Sequence, residues 1–121
     1  MPSQAYGVDV FFGGHQHSYQ RTLPVDNDGN SVDTTSCGPA PYTACTSPAY
    51  PIYVTNGAGG DSLYTDTSLC GVPVPANRGA WRGQIVVGEY GTVKATVQGT
   101  TMTIRFVTED GVILDEAVIT K

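Results

Sequence analysis

Both histidines of this 121-residue chain lie in the stretch GGHQHSYQRT, residues 13–22, as His15 and His17. Imidazole is the commonest metal ligand among side chains, and two imidazoles one residue apart can share one metal ion or bind one ion each of a close pair. On an extended backbone the two side chains point the same way, with Cβ atoms about 6–7 Å apart. The same spacing also occurs in pairs of surface histidines in polar loops. The pattern therefore offers His15 and His17 as candidate metal ligands and leaves a third ligand open.

Two apolar runs without polar alternation are predicted to be strands buried on both faces of a sheet. They are GVDVFF (7–12) and PIYVTN (51–56). The first run stops at Gly13 and Gly14, which permit a sharp turn at the carboxyl end of the strand, where open α/β sheets place their ligands. We therefore expect the histidines at a sheet edge suited to a binding site.

The C-terminal third predicts an antiparallel meander of three strands. TVKATVQ (92–98) and TMTIRFV (101–107) alternate between apolar and polar residues, and VILDEAVIT (112–120) follows a hairpin turn at Asp110-Gly111. Alternate side chains of the first two strands are expected to face the core, namely Val93, Ala95, Val97, Met102, Ile104 and Phe106.

The predicted fold class is therefore mainly β, with two buried strands, a C-terminal meander, and long irregular loops over about 34–50 and 57–83. No segment has helical periodicity, and the length suits a single domain, 1–121. Strands that are apolar on both faces need cover on both faces. We therefore expect either a homo-oligomer or a missing N-terminal segment that covers the sheet.

Composition excludes several classes of partner. The net charge of −5 and the absence of a Lys/Arg cluster argue against nucleic acid. No apolar run approaches the roughly 20 residues that span a bilayer, so no membrane partner is expected. The first residues, MPSQAYGVDV, show no signal-peptide pattern.

Three cysteines, Cys37, Cys45 and Cys70, allow at most one internal disulfide. The pair Cys37–Cys45 closes a short loop and is favoured, with three reduced thiols as the alternative. Long loops that are poor in charge favour a secreted origin over a cytosolic one.

The run VDVFFGGHQHSYQRTLPV resembles the last metal-ligand block of the purple acid phosphatases, which are calcineurin-like metallophosphoesterases. The matching residues are Gly14, His15, His17, Tyr19 and Arg21. PIYVTNGAGGD resembles the strand and Gly-rich loop that follow this block, and GEYGTVKATVQGTTMTIRFVTEDGVILDEAVITK resembles the closing strands. The resemblance covers nearly the whole chain, which is similar to the C-terminal half of an α/β metallophosphoesterase sandwich.

The resemblance implies hydrolysis of phosphate esters at a pair of metal ions, a ferric ion beside zinc, manganese or iron. By position, His15 matches a ligand of the divalent ion and His17 a ligand of the ferric ion. Four further residues near the site are expected to be structural: Gly13, Gly14, Tyr19 and Arg21. The family's upstream ligand blocks do not occur in this sequence, so we expect the chain alone to be weak or inactive. The family also implies a secreted or periplasmic protein.

Two alternatives stay open at this point. One is a small hydrolase that uses His15 and His17 on one metal, with a third ligand from a loop Asp or a partner chain. The other is a non-enzymatic β module that self-associates through unprotected strands.

Overall fold

A computed structural model of the protein describes residues 7–26, 37, 42–64, 68–69, 72–73 and 82–121. Every regular element within these ranges is a β-strand, which confirms the predicted mainly β fold class. The strands in chain order are β1 (Val10–Gly13), β2 (Tyr19–Thr22), β3 (Tyr42–Thr46), β4 (Ile52–Asn56), β5 (Ser68–Leu69), β6 (Val72–Pro73), β7 (Arg82–Val86), β8 (Gly91–Gln98), β9 (Thr101–Thr108) and β10 (Ile113–Thr120). The described part of the chain contains no helix of the length and apolar character that crossing a membrane requires.

Eight of these strands form two four-stranded sheets. Sheet I has the order β1-β4-β2-β7 and sheet II the order β3-β10-β9-β8, while β5 and β6 form a separate pair. In sheet I, β1 and β4 are parallel, and β2 is antiparallel to both β4 and β7. In sheet II, β8, β9 and β10 form the predicted antiparallel meander, and β3 joins it in parallel with β10.

The hydrophobic core is built from inward-facing side chains of both sheets, as in a β-sandwich. Sheet I and its loops contribute Tyr19, Ile52, Val54 and Ala58, and sheet II contributes Cys45, Ile104, Phe106, Ala117 and Ile119. The rings of Tyr19 and Phe106 stack across the two sheets with centroids 4.6 Å apart. Burial of each large apolar side chain of this kind stabilises the fold by about 1.5–3 kcal/mol.

The two predicted apolar strands form β1 and β4, and they are covered unequally on their two faces. The inner face of β4 is closed, since Ile52 and Val54 are 0% and 2% exposed. Elsewhere on these strands Phe11 stacks on Tyr53 with ring centroids 5.2 Å apart, and both residues are half-buried. Phe12 is 54% exposed. The described residues therefore leave apolar surface on β1 and β4 that sheet II does not cover.

The prediction that alternate side chains of β8 face the core is wrong at two positions. Ala95 and Val97 are exposed, Val97 to 65%. In the strand order of sheet II, β8 is one of the two edge strands, and most of the core residues of this sheet lie on β9 and β10. Ile104 and Phe106 of β9 are fully buried as predicted. Alternation in the sequence indicated a strand here, but it did not show how far the opposite sheet extends.

The predicted loop over 34–50 is also partly wrong, because it contains β3. The sequence YTACT is rich in strand-favouring residues, and its alternate residues Thr43 and Cys45 are buried. Neighbouring prolines made the segment look like a continuous loop. The structure joins Cys45 to Cys37 in a disulfide, which is the pair that the short spacing favours. Cys70 lies outside the described residues.

Candidate functional site

The histidine stretch lies at the carboxyl edge of sheet I. Because β1 and β4 are parallel and in register from Val10 with Ile52 to Gly13 with Thr55, their carboxyl ends meet at the same edge. The stretch that follows β1 and the Gly-rich loop that follows β4, residues 57–64, are therefore neighbours. This is the position that the sequence analysis predicted for a binding site.

The backbone from Gly14 to Ser18 is turned rather than extended. His15 adopts a φ of 78°, in the left-handed region. The Ser18 amide donates to the Gln16 carbonyl at 2.8 Å, which closes a tight turn centred on His17. His15 is exposed and His17 is half-buried. The expectation of an extended segment is therefore wrong, and the Cβ spacing that followed from it does not apply.

Gly57 fixes the contact between the two loops. Its amide donates to the Ser18 carbonyl at 3.2 Å. A Cβ atom at this position would lie 2.0 Å from the carbonyl oxygen of Gln16, so no other residue fits without displacing the turn. The sequence signal was a glycine directly after a predicted strand, which identified the end of the strand but not its partner.

The imidazole of His17 is held in one orientation by the Gly-rich loop. Its Nδ1 lies 2.6 Å from the carbonyl oxygen of Ser62. A carbonyl only accepts hydrogen bonds, so Nδ1 carries the hydrogen and the neutral ring keeps its lone pair on Nε2. The ring also stacks on Tyr64, with centroids 5.4 Å apart, and the Tyr64 amide donates to the His17 carbonyl at 3.1 Å. A hydrogen bond from the second ring nitrogen to a backbone carbonyl is one of the common ways in which proteins orient a metal-ligating histidine.

Tyr19 and Arg21, the other matched residues of the stretch, lie inside the sandwich. Asp115 of β10 accepts hydrogen bonds from Tyr19 Oη at 2.5 Å and from Arg21 Nε at 2.6 Å through its Oδ2. Its Oδ1 accepts from Arg21 Nη2 at 2.8 Å. Arg21 Nη2 also donates to Thr43 Oγ1 of β3 at 3.1 Å. Asp115 is fully buried and Arg21 is 1% exposed. We call these four residues the inter-sheet network, because they join β2 of sheet I to β10 and β3 of sheet II.

The protonation states of Tyr19 and Arg21 are set by their buried surroundings. Burial opposes the guanidinium charge of Arg21, but the hydrogen bonds and negative charge of Asp115 outweigh it, so the pKa of Arg21 is raised. Burial and then the charge and hydrogen bond of Asp115 also raise the pKa of Tyr19 well above its ordinary value. Tyr19 is therefore a neutral phenol and Arg21 a cation at all ordinary pH values. Both side chains are buried between the sheets, which favours a structural role over a catalytic one.

Room for the Arg21 side chain comes from Gly83 of β7. A Cβ atom at Gly83 would lie 2.8 Å from Arg21 Nη1 and 3.1 Å from the Arg21 carbonyl oxygen. Neither Gly83 nor Asp115 was predicted from the sequence to lie near the site. The signal for Asp115 was present, since it lies in phase with Ala117 and Ile119 on the buried face of β10. A carboxylate on an apolar face requires a buried partner.

The two glycines of the stretch, Gly13 and Gly14, lie where the turn begins. Gly13 is the last residue of β1. Gly14 passes close to β4, because a Cβ atom there would be 3.5 Å from the Asn56 carbonyl oxygen. Both positions are consistent with the predicted sharp turn after the strand.

A solved structure of purple acid phosphatase PPD1 from yellow lupin (Lupinus luteus) seeds is similar to this chain, with a TM-score of 0.73 and 22% sequence identity. The match covers 98% of this chain and 18% of that chain. At this identity the likeness shows the fold alone. The two packed sheets thus share the fold of one part of that structure.

The family model described as iron/zinc purple acid phosphatase-like protein C matches residues 50–116. The chain therefore belongs to this family, which confirms the resemblance seen in the sequence. The match begins after the histidine stretch, residues 13–22, which lies outside it.

Two curated plant relatives share part of the chain. Purple acid phosphatase 1 of Ipomoea batatas is 37% identical over 57 residues, which are 47% of this chain and 11% of the relative. The Fe(3+)-Zn(2+) purple acid phosphatase 12 of Arabidopsis thaliana is 40% identical over 63 residues, which are 50% of this chain and 12% of the relative. The matched part is thus only a small fraction of the length of these relatives.

Proposed function

We propose that this chain is the C-terminal part of a metal-dependent phosphoesterase of the acid phosphatase type, to which it contributes the imidazoles of His15 and His17. The observation that carries the proposal is the contact between His17 Nδ1 and the Ser62 carbonyl, which leaves the Nε2 lone pair available at the sheet edge. Family membership supports phosphate esters as the substrate class.

The imidazole nitrogens of His15 and His17 are suitable as the nitrogen ligands of such a metal centre. Two imidazole nitrogens suit zinc and similar divalent transition ions far better than Mg²⁺ or Ca²⁺. A ferric ion prefers hard oxygen ligands, and the described residues contain no group of three or more His, Cys, Asp or Glu placed to hold an ion. We therefore assign His15 and His17 to part of a site for zinc, manganese or iron, and expect further ligands to complete an Fe(III)–M(II) pair.

Bound metal ions would supply charge stabilisation for the phosphoryl oxygens and an acidified water. The chain's own residues contribute orientation. Ser62 fixes the tautomer of His17, Gly57 holds the turn against the Gly-rich loop, and the inter-sheet network anchors β2 immediately after the turn. This arrangement supports a role in positioning ligands and gives no sign of a complete catalytic centre in the described residues. We therefore propose weak or no phosphatase activity for the chain alone.

We also infer a secreted or periplasmic location and a covered sheet in the functional assembly. The disulfide between Cys37 and Cys45 favours an oxidising compartment.

The stacked rings of Phe11 and Tyr53 and the exposed Phe12 are apolar surface of the kind that protein contacts cover. A further N-terminal segment or a second copy of the chain would supply that cover.

Removal of both imidazoles should abolish specific zinc binding. We expect the variant His15→Ala/His17→Ala to lose the binding heat that the metal-free parent gives when zinc is added in a calorimeter. Both side chains are at least partly exposed, so the variant should keep its fold, which circular dichroism would check. Equal zinc affinity in the two proteins would contradict the proposed role of the histidines.

A further inference from the structure

Asp61 lies in the Gly-rich loop beside the free nitrogen of His17. Its Oδ2 is 3.8 Å from His17 Nε2. The carboxylate side chain is 76% exposed, and the imidazole side chain is 29% exposed. The pair is therefore open to ions from solvent. His17 is a ligand predicted from the sequence, whereas the sequence left a loop Asp open as a third ligand without identifying one.

Ser62 orients both groups of this pair through its backbone. Its carbonyl accepts from His17 Nδ1 at 2.6 Å, and its amide donates to Asp61 Oδ1 at 2.6 Å. The first hydrogen bond leaves the lone pair of the neutral imidazole on Nε2. The second uses Oδ1 of Asp61, so Oδ2 is the carboxylate oxygen that does not take part in it. One peptide residue thus turns a nitrogen donor and an oxygen donor toward each other.

The separation of the two donors suits a shared metal ion. Zinc binds His nitrogen and Asp oxygen at about 2.0–2.2 Å, so two ligands of one ion lie at most about 4 Å apart. The observed 3.8 Å falls within that limit, and an exposed Asp side chain can shorten it by rotation. The alternative is an ion pair between the carboxylate and a protonated imidazole, which at this exposure contributes little to the free energy of folding.

We propose that Asp61 is a metal ligand that binds a divalent transition ion such as zinc together with Nε2 of His17. This inference rests on the proposed function in one respect, namely that His17 is a metal ligand. It adds a carboxylate to the imidazole donors, and so gives the ion one harder ligand from the loop that follows β4.

The test compares zinc affinity in three single variants of the full 121-residue chain, after removal of metal with a chelator. We expect Asp61→Asn to weaken zinc binding by about tenfold or more, since even the loss of an outer partner of a ligand costs about 10–100-fold. The matched control is Asp110→Asn, which removes an exposed carboxylate and keeps a favourable turn sequence before Gly111. Asp110→Asn should bind zinc like the parent. The third variant is His17→Ala, which should lose most of the affinity.

The outcomes separate the two proposals. If His17→Ala loses zinc while Asp61→Asn binds it like the parent, Asp61 is an ion-pair partner only and the inference is overturned, although the role of His17 stands. If neither variant changes zinc affinity, both proposals fail. An equal loss in Asp61→Asn and Asp110→Asn would indicate a general effect of charge and would also overturn the assignment of Asp61.

Discussion

Replacement of Asp115 by Asn should destabilise the folded chain by about 3–5 kcal/mol, because it leaves the guanidinium of Arg21 buried without its counter-charge. Arg21 is 1% exposed and Asp115 is fully buried, so water cannot replace the lost partner. The carboxylate also accepts the hydroxyl of Tyr19 and joins the two sheets across the core. Urea unfolding, followed by circular dichroism, gives the change in the free energy of unfolding.

The neighbouring residue on β10 provides a matched control. Glu116 pairs with Arg105 at 2.6 Å, the same N···O distance as Asp115 with Arg21, but these side chains are 27% and 43% exposed. Glu116→Gln should therefore change stability by about 1 kcal/mol or less. A loss in Asp115→Asn no greater than in Glu116→Gln would show that the inter-sheet network does not hold the sandwich together.

A second variant keeps this prediction testable if Asp115→Asn does not fold. Addition of Arg21→Met removes the buried charge that the first change leaves unpaired. Replacement of both members of a buried ion pair is often close to neutral, so the double variant should be more stable than Asp115→Asn alone. A double variant that is less stable than the single variant would contradict the assigned cause.

The chain alone should hydrolyse p-nitrophenyl phosphate far more slowly than about 10 per second, the ordinary enzyme turnover, at any value across about pH 4–8. Two-metal hydrolysis requires ions about 3.5–4 Å apart that clamp the attacking and leaving oxygens together. Within the residues that the structure describes, no cluster of three potential ligands exists to hold such a pair. Iron, zinc and manganese would be supplied separately and in combination.

Controls for the activity assay are the chelated protein and the variant His17→Ala. Residual turnover that persists in both comes from contamination. A turnover near the ordinary enzyme value that disappears in His17→Ala would show that the 121-residue chain forms a full active site, and it would contradict our proposal of weak activity.

The meander was predictable because the patterns that specify its strands and turn lie within short stretches of the sequence. Alternation along residues 101–107 and the turn at Asp110-Gly111 specify adjacent strands without reference to the rest of the chain. The parallel pairing of β1 with β4 was not local, but two apolar runs that each stop at glycine indicated the edge where a site would form.

The hydrogen bonds at the site and in the inter-sheet network join residues that are far apart in the sequence, so no short sequence pattern indicates them. Asp115 lies 94 residues from Arg21, and Ser62 lies 45 residues from His17. The left-handed backbone of His15 was also not predictable from the sequence, since only a small fraction of non-glycine residues adopt positive φ. The sequence therefore indicated the sheet edge at which the histidines lie, and the structure was needed to show their partners and the nitrogen that His17 presents.

Zinc titration of the ¹⁵N-labelled chain, observed by long-range proton–nitrogen correlation of the imidazoles, tests the metal-binding role most directly. Before zinc is added, neutral His17 should carry its hydrogen on Nδ1, because the Ser62 carbonyl accepts from that atom. With zinc, the Nε2 resonance of His17 should shift while the Nδ1 hydrogen is retained, and the imidazole of His15 should respond over the same range of zinc concentration. Imidazole resonances that stay unchanged in excess zinc, or a His17 tautomer with its hydrogen on Nε2, would contradict the proposed metal site.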